Sequence, residues 1–348
     1  MIVADSVQET YERMHELLGN VVPDVELKIK AELVFEINRL KVERDAVILG
    51  HNYMEPALYH TVPDFKGDSL ALSRMAAKTD KSIIVFCGVR FMAETAKILN
   101  PAKTVLLPSE KAGCSLAESI TAEDVRALRE SFPGVPAVAY VNTYADVKAE
   151  VDICCTSGNA VAVVESLNSD VVIFLPDEYL ARNVAKETGK KIIIPSLIQG
   201  SKPSPDLDYQ MIGWHGRCEV HEEFNLEDIQ AVREQFPDVV ILAHPECSPE
   251  VVGASDFSGS TSAMIRYVEE TQAPRYLLLT ECAMGDNIIA ENPDKEVLRL
   301  CSVRCPHMNE ITLEDTLLSL QKLQYVVEVP EEIRLRALKS VERMISIG

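Results

Sequence analysis

The chain has 348 residues, 47% apolar and 25% charged, with 34 Lys and Arg against 54 Asp and Glu and a formal charge of −20. This composition suits a globular protein of two or three domains and excludes a disordered or collagenous chain. Such an acidic balance argues against holding a nucleic-acid backbone or an anionic membrane by bulk charge, so any anionic ligand must be caught locally.

The opening residues, MIVADSVQETYERMHELLGN, carry two early acids and lack the basic and apolar stretches of a secretory signal. No segment reaches the roughly 18 consecutive apolar residues of a membrane span. The expectation is a cytoplasmic protein with no nucleic-acid and no membrane partner. A helix is predicted over 27–45, LKIKAELVFEINRLKVERD. Short continuous runs rich in Val and Ile follow at 46–50, 82–88, 104–107, 135–141, 170–175, 191–195, 238–243 and 275–280, separated by helix-length segments. Runs buried on both faces with helices between them predict parallel sheets in an α/β protein. The chain closes on PEEIRLRALKSVERMISI, where Pro330 suits a helix start and Ile333, Ala337, Leu338, Val341, Met344 and Ile345 form one apolar stripe.

Three stretches share one plan. A buried strand ends in a polar cluster: AVILGHNY, VPAVAYVN and DVVILAHPE. A small polar turn then opens a helix: GDSLALSRMAA, TSGNAVAVVESL and GSTSAMIRYVEE. A second strand and helix follow, and each unit reaches a cysteine in a polar context: Cys114 in AGCSL, Cys218 in WHGRCEVH and Cys305 in VRCPHM. Turn and cysteine are 45 residues apart from Ser69 to Cys114, 61 from Ser157 to Cys218 and 44 from Thr261 to Cys305. The Pro-rich stretch near 197–212 reads as a loop insertion that absorbs the longer middle spacing. The predicted units are 1–116, joined by C-terminal helices in 306–348; 117–218, carrying the insertion; and 219–305.

Ligands of parallel α/β units sit beyond the carboxyl ends of the strands. Those ends carry His51, Asn52 and Tyr53, then Tyr140 and Asn142, then His244 and Glu246. The turns holding Ser69, Ser157 and Thr261 open helices, whose free N–H groups and dipoles favour anions. Nine cysteines without an export signal predict reduced thiols. Cys87 and the pair Cys154–Cys155 read as core. Cys114, Cys218 and Cys305, one per unit, would meet on a common axis and hold a metal. Three thiolates suit zinc, for which the C-x₃-C pair Cys301–Cys305 also speaks, or an iron–sulfur cluster with one open iron. Of the remaining histidines, only His221, three residues past Cys218, is expected near that metal.

Together with GVRFMAETAKIL, YVNTYADVKA, PDEYLARNV, HPEC and GSTS, the three cysteine motifs make the chain resemble the quinolinate synthase family, the A proteins of bacterial NAD biosynthesis, from about Leu40 to the C-terminus. The resemblance implies a transferase that condenses iminoaspartate with dihydroxyacetone phosphate to quinolinate, releasing phosphate and water. It implies three pseudo-symmetric α/β units with short parallel sheets, in a triangle around one [4Fe–4S] cluster. By motif, the cluster ligands become Cys114, Cys218 and Cys305; Cys305 is preferred to Cys301 because it directly precedes the Pro-x-Met step. The same matching makes His51, Ser69, Tyr140, Asn142, Ser157, His244, Glu246 and Thr261 substrate contacts. Glu246 is the expected general base, with a pKa raised by the cleft, while His244, Tyr53 and His51 donate protons or orient substrate. The implied supplier of the imine is an aspartate oxidase or dehydrogenase. Two other readings compete: a zinc hydrolase, for which His244-Pro245-Glu246 supplies an H-x-E element, and a non-enzymatic iron–sulfur scaffold or redox carrier.

Overall fold

Each of the eight apolar runs contains a strand. The computed structural model describes residues 2–195, 208–300 and 303–348, and among them three sheets form. The first comprises β1 (Ala46–His51), β2 (Phe65–Gly67), β3 (Ile83–Cys87) and β4 (Thr104–Leu106), in the order β2-β1-β3-β4. The second comprises β5 (Ala137–Tyr140), β6 (Ile153–Cys155), β7 (Val172–Leu175), β8 (Ile192–Ile193) and β9 (Met211–Ile212), in the order β6-β5-β7-β9-β8. The third comprises β10 (Val239–Ala243), β11 (Phe257–Ser258), β12 (Arg275–Leu279) and β13 (Glu296–Arg299), in the order β11-β10-β12-β13. Every strand pairing is parallel. β1, β3, β5 and β7 are buried along their whole length, which is why they read as unbroken apolar runs. The strands that the runs did not reveal, β2, β6, β9, β11 and β13, are only two to four residues long.

A repeated carboxylate clasp makes the threefold plan explicit. Asp64 Oδ2 accepts from Ile48 N–H at 2.8 Å while Asp64 N–H donates back to Ile48 O at 2.9 Å. Asp152 does the same to Ala137 at 2.8 and 2.9 Å, and Asp256 to Ile241 at 2.8 and 2.8 Å. Each carboxylate also meets a cation from the helix that precedes the unit's first strand. Lys41 reaches Asp64 at 3.1 Å, Arg129 reaches Asp152 at 2.8 Å, and Arg233 reaches Asp256 at 3.1 Å. The chain is therefore an α/β protein built from three like units.

The middle unit differs where its extra residues lie. β9 holds the place beside β7 that β4 holds beside β3 and β13 beside β12, and β8 is an added edge strand. The apolar run 191–195 thus supplies the addition. Residues 197–207 of the expected loop insertion lie outside the described residues, but its last two, Met211 and Ile212, are fully buried as β9 instead of looping. Two residues are too few to show a strand period.

The helix expected over 27–45 spans Asp24–Glu43 and packs against the helices Val7–Leu18 and Leu313–Lys322. The last helix, Glu331–Ser346, packs against β6, Ala145–Lys148 and Arg90–Leu99. Its buried face includes Ala337, Val341 and Met344. Among the described residues no helix is long and apolar enough to cross a membrane.

Candidate active site

The central strands β1, β5 and β10 all end on one cavity. His51, Tyr53, Ser69 and Cys114 line it from the first unit; Tyr140, Asn142, Ser157 and Cys218 from the second; His244, Glu246, Thr261 and Cys305 from the third. The described lining contains no Lys or Arg.

The backbone delivers the three sulfurs in the same way each time. The second helix of a unit begins with an N–H that has no partner inside the helix, and that group holds the cysteine loop two residues ahead of the thiol. Arg90 N–H donates to Ala112 O at 2.8 Å, Glu178 N–H to Gly216 O at 2.7 Å, and Cys282 N–H to Val303 O at 3.2 Å. The approach at Gly216 requires glycine, because a Cβ there would stand 2.7 Å from Pro176 O. Nearby backbone N–H groups just downstream favour each thiolate: Ala117 and Leu116 for Cys114, His221 for Cys218, Met308 and His307 for Cys305. Burial pushes Cys114 up to about 12 and Cys305 up to about 11, and Cys218 also rises. Neighbouring thiolate charge adds to the rise at Cys114, from Cys305, and at Cys218, from Cys114, so the three sulfurs share one electrostatic environment. Half-buried thiols that share one environment are suited to holding a cation that displaces their protons. The donor set thus fits a thiolate-bound metal group.

At the strand ends the side chains are cross-linked. Glu246 Oε2 lies 2.8 Å from His221 Nδ1 and 3.2 Å from His244 Nδ1, and Oε1 accepts from Asn142 Nδ2 at 3.3 Å. His221 stacks on His244 with ring centroids 4.5 Å apart. Its Nε2 is 3.0 Å from Thr280 Oγ1, which is also 2.5 Å from the Tyr53 hydroxyl. Burial alone would raise the Glu246 pKa, but the two imidazoles outweigh it and hold the carboxyl well below its ordinary range. This reverses the expected upward shift: a carboxylate that touches two rings and an amide is stabilised in its charged form. Burial lowers His51 to about 4, leaving it neutral. Its Nδ1 accepts from Tyr53 N–H at 3.2 Å, which puts the ring proton on Nε2. Burial raises Tyr53 and Tyr140 well above the ordinary phenol value, so both keep their protons. Buried Lys148 donates to Val141 O at 2.9 Å and to Thr143 O, bracing the loop that carries Tyr140 and Asn142.

Ser69 and Thr261 are the first residues of the helices Ser69–Lys78 and Thr261–Glu270, capped by Asp68 and Ser260. Ser157 sits in the turn ahead of the helix Ala160–Ser166, where Asn159 holds the N-cap position and its Oδ1 accepts from Thr156 N–H at 2.7 Å. Asn52 Nδ2 donates to Thr261 Oγ1 at 2.9 Å and joins the first and third units.

The sequence reading missed residues that flank the cysteines. Ser115, Glu219 and His307 also line the cavity. Glu219 Oε1 accepts from Ser115 Oγ at 2.9 Å and lies 3.2 Å from His307 Nε2, linking three stretches that are far apart in the chain. Their place just after each cysteine was the available signal. His221 does reach the thiol region, 3.2 Å from Cys218 Sγ, whereas His15 and His215 are exposed and His60 is buried beside Glu291. Cys87, Cys154 and Cys155 are buried in strands, and Cys301 lies outside the described residues.

The chain matches the Quinolinate synthetase A protein family over residues 35–346. The chain belongs to that family. It is 49% identical over 342 residues to Quinolinate synthase 2 of Mesorhizobium japonicum, covering 98% of this chain and 99% of that one. It is 50% identical to Quinolinate synthase of Sinorhizobium medicae, covering 98% and 90%, and 52% identical to that of Xylella fastidiosa, covering 91% and 86%. Family membership makes the chain an enzyme with small-molecule substrates, and it removes the zinc-hydrolase and redox-carrier readings.

Proposed function

We propose that the chain makes quinolinate from iminoaspartate and dihydroxyacetone phosphate, releasing phosphate and water, with a [4Fe–4S] cluster held by Cys114, Cys218 and Cys305. The observation that carries this reading is the meeting of three sulfurs from distant stretches with Ser69, Ser157 and Thr261 on one lining. The cluster would supply a Lewis-acidic iron with an open position for a substrate oxygen.

The remaining roles follow from the side chains. With no Lys or Arg in the described lining, the hydroxyls of Ser69, Ser157 and Thr261 and the helix-start N–H groups at Ser69 and Thr261 take the carboxylate and phosphate oxygens. Asn142 and neutral His51, through its Nε2–H, orient the substrates, while Tyr53 and Tyr140 act as proton donors and hydrogen-bond partners. Glu246 works with His244. The carboxylate stays ionised and stabilises the imidazolium that forms as the ring removes a carbon-bound proton.

In this reading the units divide at 1–116 with 306–348, 117–218 and 219–305. The enzyme is a cytoplasmic transferase, fed by an aspartate oxidase or dehydrogenase. The test is anaerobic purification with iron and sulfide analysis and a quinolinate assay. About four of each per chain are expected, with quinolinate formed only when both substrates are present. Colourless protein without iron after reconstitution, or iron-loaded protein that forms no quinolinate, overturns the reading.

A further inference from the structure

Cys218 Sγ, His221 Nδ1 and Glu246 Oε2 all lie within 4.8 Å of one another. Sulfur to nitrogen is 3.2 Å and nitrogen to oxygen 2.8 Å. In a tetrahedral zinc shell, ligand atoms about 2.0–2.3 Å from the ion stand roughly 3.3–3.8 Å apart. A small inward or outward adjustment therefore suffices to admit an ion. His221 and Glu246 are both buried, and Thr280 Oγ1 holds the far ring nitrogen of His221 at 3.0 Å. Such an outer partner fixes the orientation of a ligating imidazole. Asn142 on Oε1 fixes the carboxylate in the same way. This donor set is distinct from the three thiols, since only Cys218 belongs to both.

We propose that in the cluster-free protein Cys218, His221 and Glu246 form a mononuclear site for a zinc-like divalent ion. One sulfur, one imidazole nitrogen and one carboxylate oxygen suit zinc or cobalt and do not suit magnesium or calcium. The Cys218 S–H bond breaks, its proton leaves to buffer and a sulfur–metal bond forms, with no change of oxidation state. Thiolate and carboxylate then neutralise the two positive charges, and water takes the fourth position. The consequence rests on the proposed cluster reading: an ion on Cys218 withholds that sulfur from Cys114 and Cys305, so zinc blocks cluster assembly. The site itself does not depend on that reading.

Cobalt(II) titration of the full chain, stripped of iron and sulfide under anaerobic conditions, tests the site directly. The expected result is one cobalt per chain, with a sulfur-to-cobalt charge-transfer band and the visible bands of a tetrahedral ion. The band should persist in Cys114→Ser and Cys305→Ser and vanish in Cys218→Ser and His221→Ala. Thr280→Val, which keeps all three donors, should weaken binding about 10–100-fold. A band that needs Cys114 or Cys305, or no stoichiometric binding by the wild type with a native circular dichroism spectrum, overturns the site. In a second arm, zinc added before iron and sulfide should suppress cluster formation in the wild type. Wild type that binds cobalt yet never assembles a cluster, even without zinc, refutes the cluster reading and leaves the mononuclear site standing.

Discussion

The two ends of the cavity are built differently. At the strand ends, side chains hold one another: Glu246 joins His221, His244 and Asn142, and Thr280 joins His221 to Tyr53. At the thiol end, Cys114, Cys218 and Cys305 sit on loops whose backbone is pinned to helix starts. Side chains that satisfy one another pre-arrange a site before substrate arrives. Sulfurs with raised pKa values call for a positive charge, which a bound metal group would supply. The first end is thus cross-linked by its own side chains, and in the proposed function the second is completed by the metal group.

The sharpest way to break this contrast is at the sulfurs. Cys114→Ser, Cys218→Ser and Cys305→Ser should each remove most of the iron and all detectable quinolinate synthesis, as checked by metal analysis and assay. Glu246→Gln should instead reduce turnover about 10²–10⁴-fold while the iron content stays near wild type. Loss of iron in that variant would show that the two ends are not separable. Below both ends lies the repeated clasp. Asp152→Ala strips the partner from Ala137 N–H and should cost about 1–3 kcal/mol in urea unfolding.

Smaller effects sharpen the picture. Tyr53→Phe removes one hydroxyl from the strand-end network and should cost about 1 kcal/mol in kcat/KM, with unchanged iron. Glu291 lies outside both ends. The His60 hydrogen bond and the Lys66 ammonium, 2.7 Å away, hold its pKa down to about 2. A depressed carboxylate pKa stabilises the fold above the unfolded-state value near 4.5, and that contribution fades as pH falls towards about 2. The urea midpoint difference between wild type and Glu291→Gln should therefore be present at pH 6 and shrink at pH 3.

Legibility in the sequence followed burial. β1, β3, β5, β7, β10 and β12 announced themselves because a strand covered on both faces needs apolar residues throughout. β9 and β11 did not, since a two-residue strand inside a sheet owes its pairing to neighbours and carries no period of its own. Ser69 and Thr261 were visible as helix starts because capping chemistry is local. The linked residues Ser115, Glu219 and His307 were not, because each makes sense only beside a partner far away in the sequence.

From the amino-acid order alone came the α/β class, the threefold repeat, the twelve cavity-lining side chains named in advance and the family, because strand burial, helix capping and motif spacing are written in neighbouring residues. Only the folded chain decided which strand is the added one, how His221 and Thr280 enter the site and in which direction Glu246 shifts. Those outcomes depend on distances of about 3 Å between residues far apart in the chain, where the local charge and burial of all three units act at once.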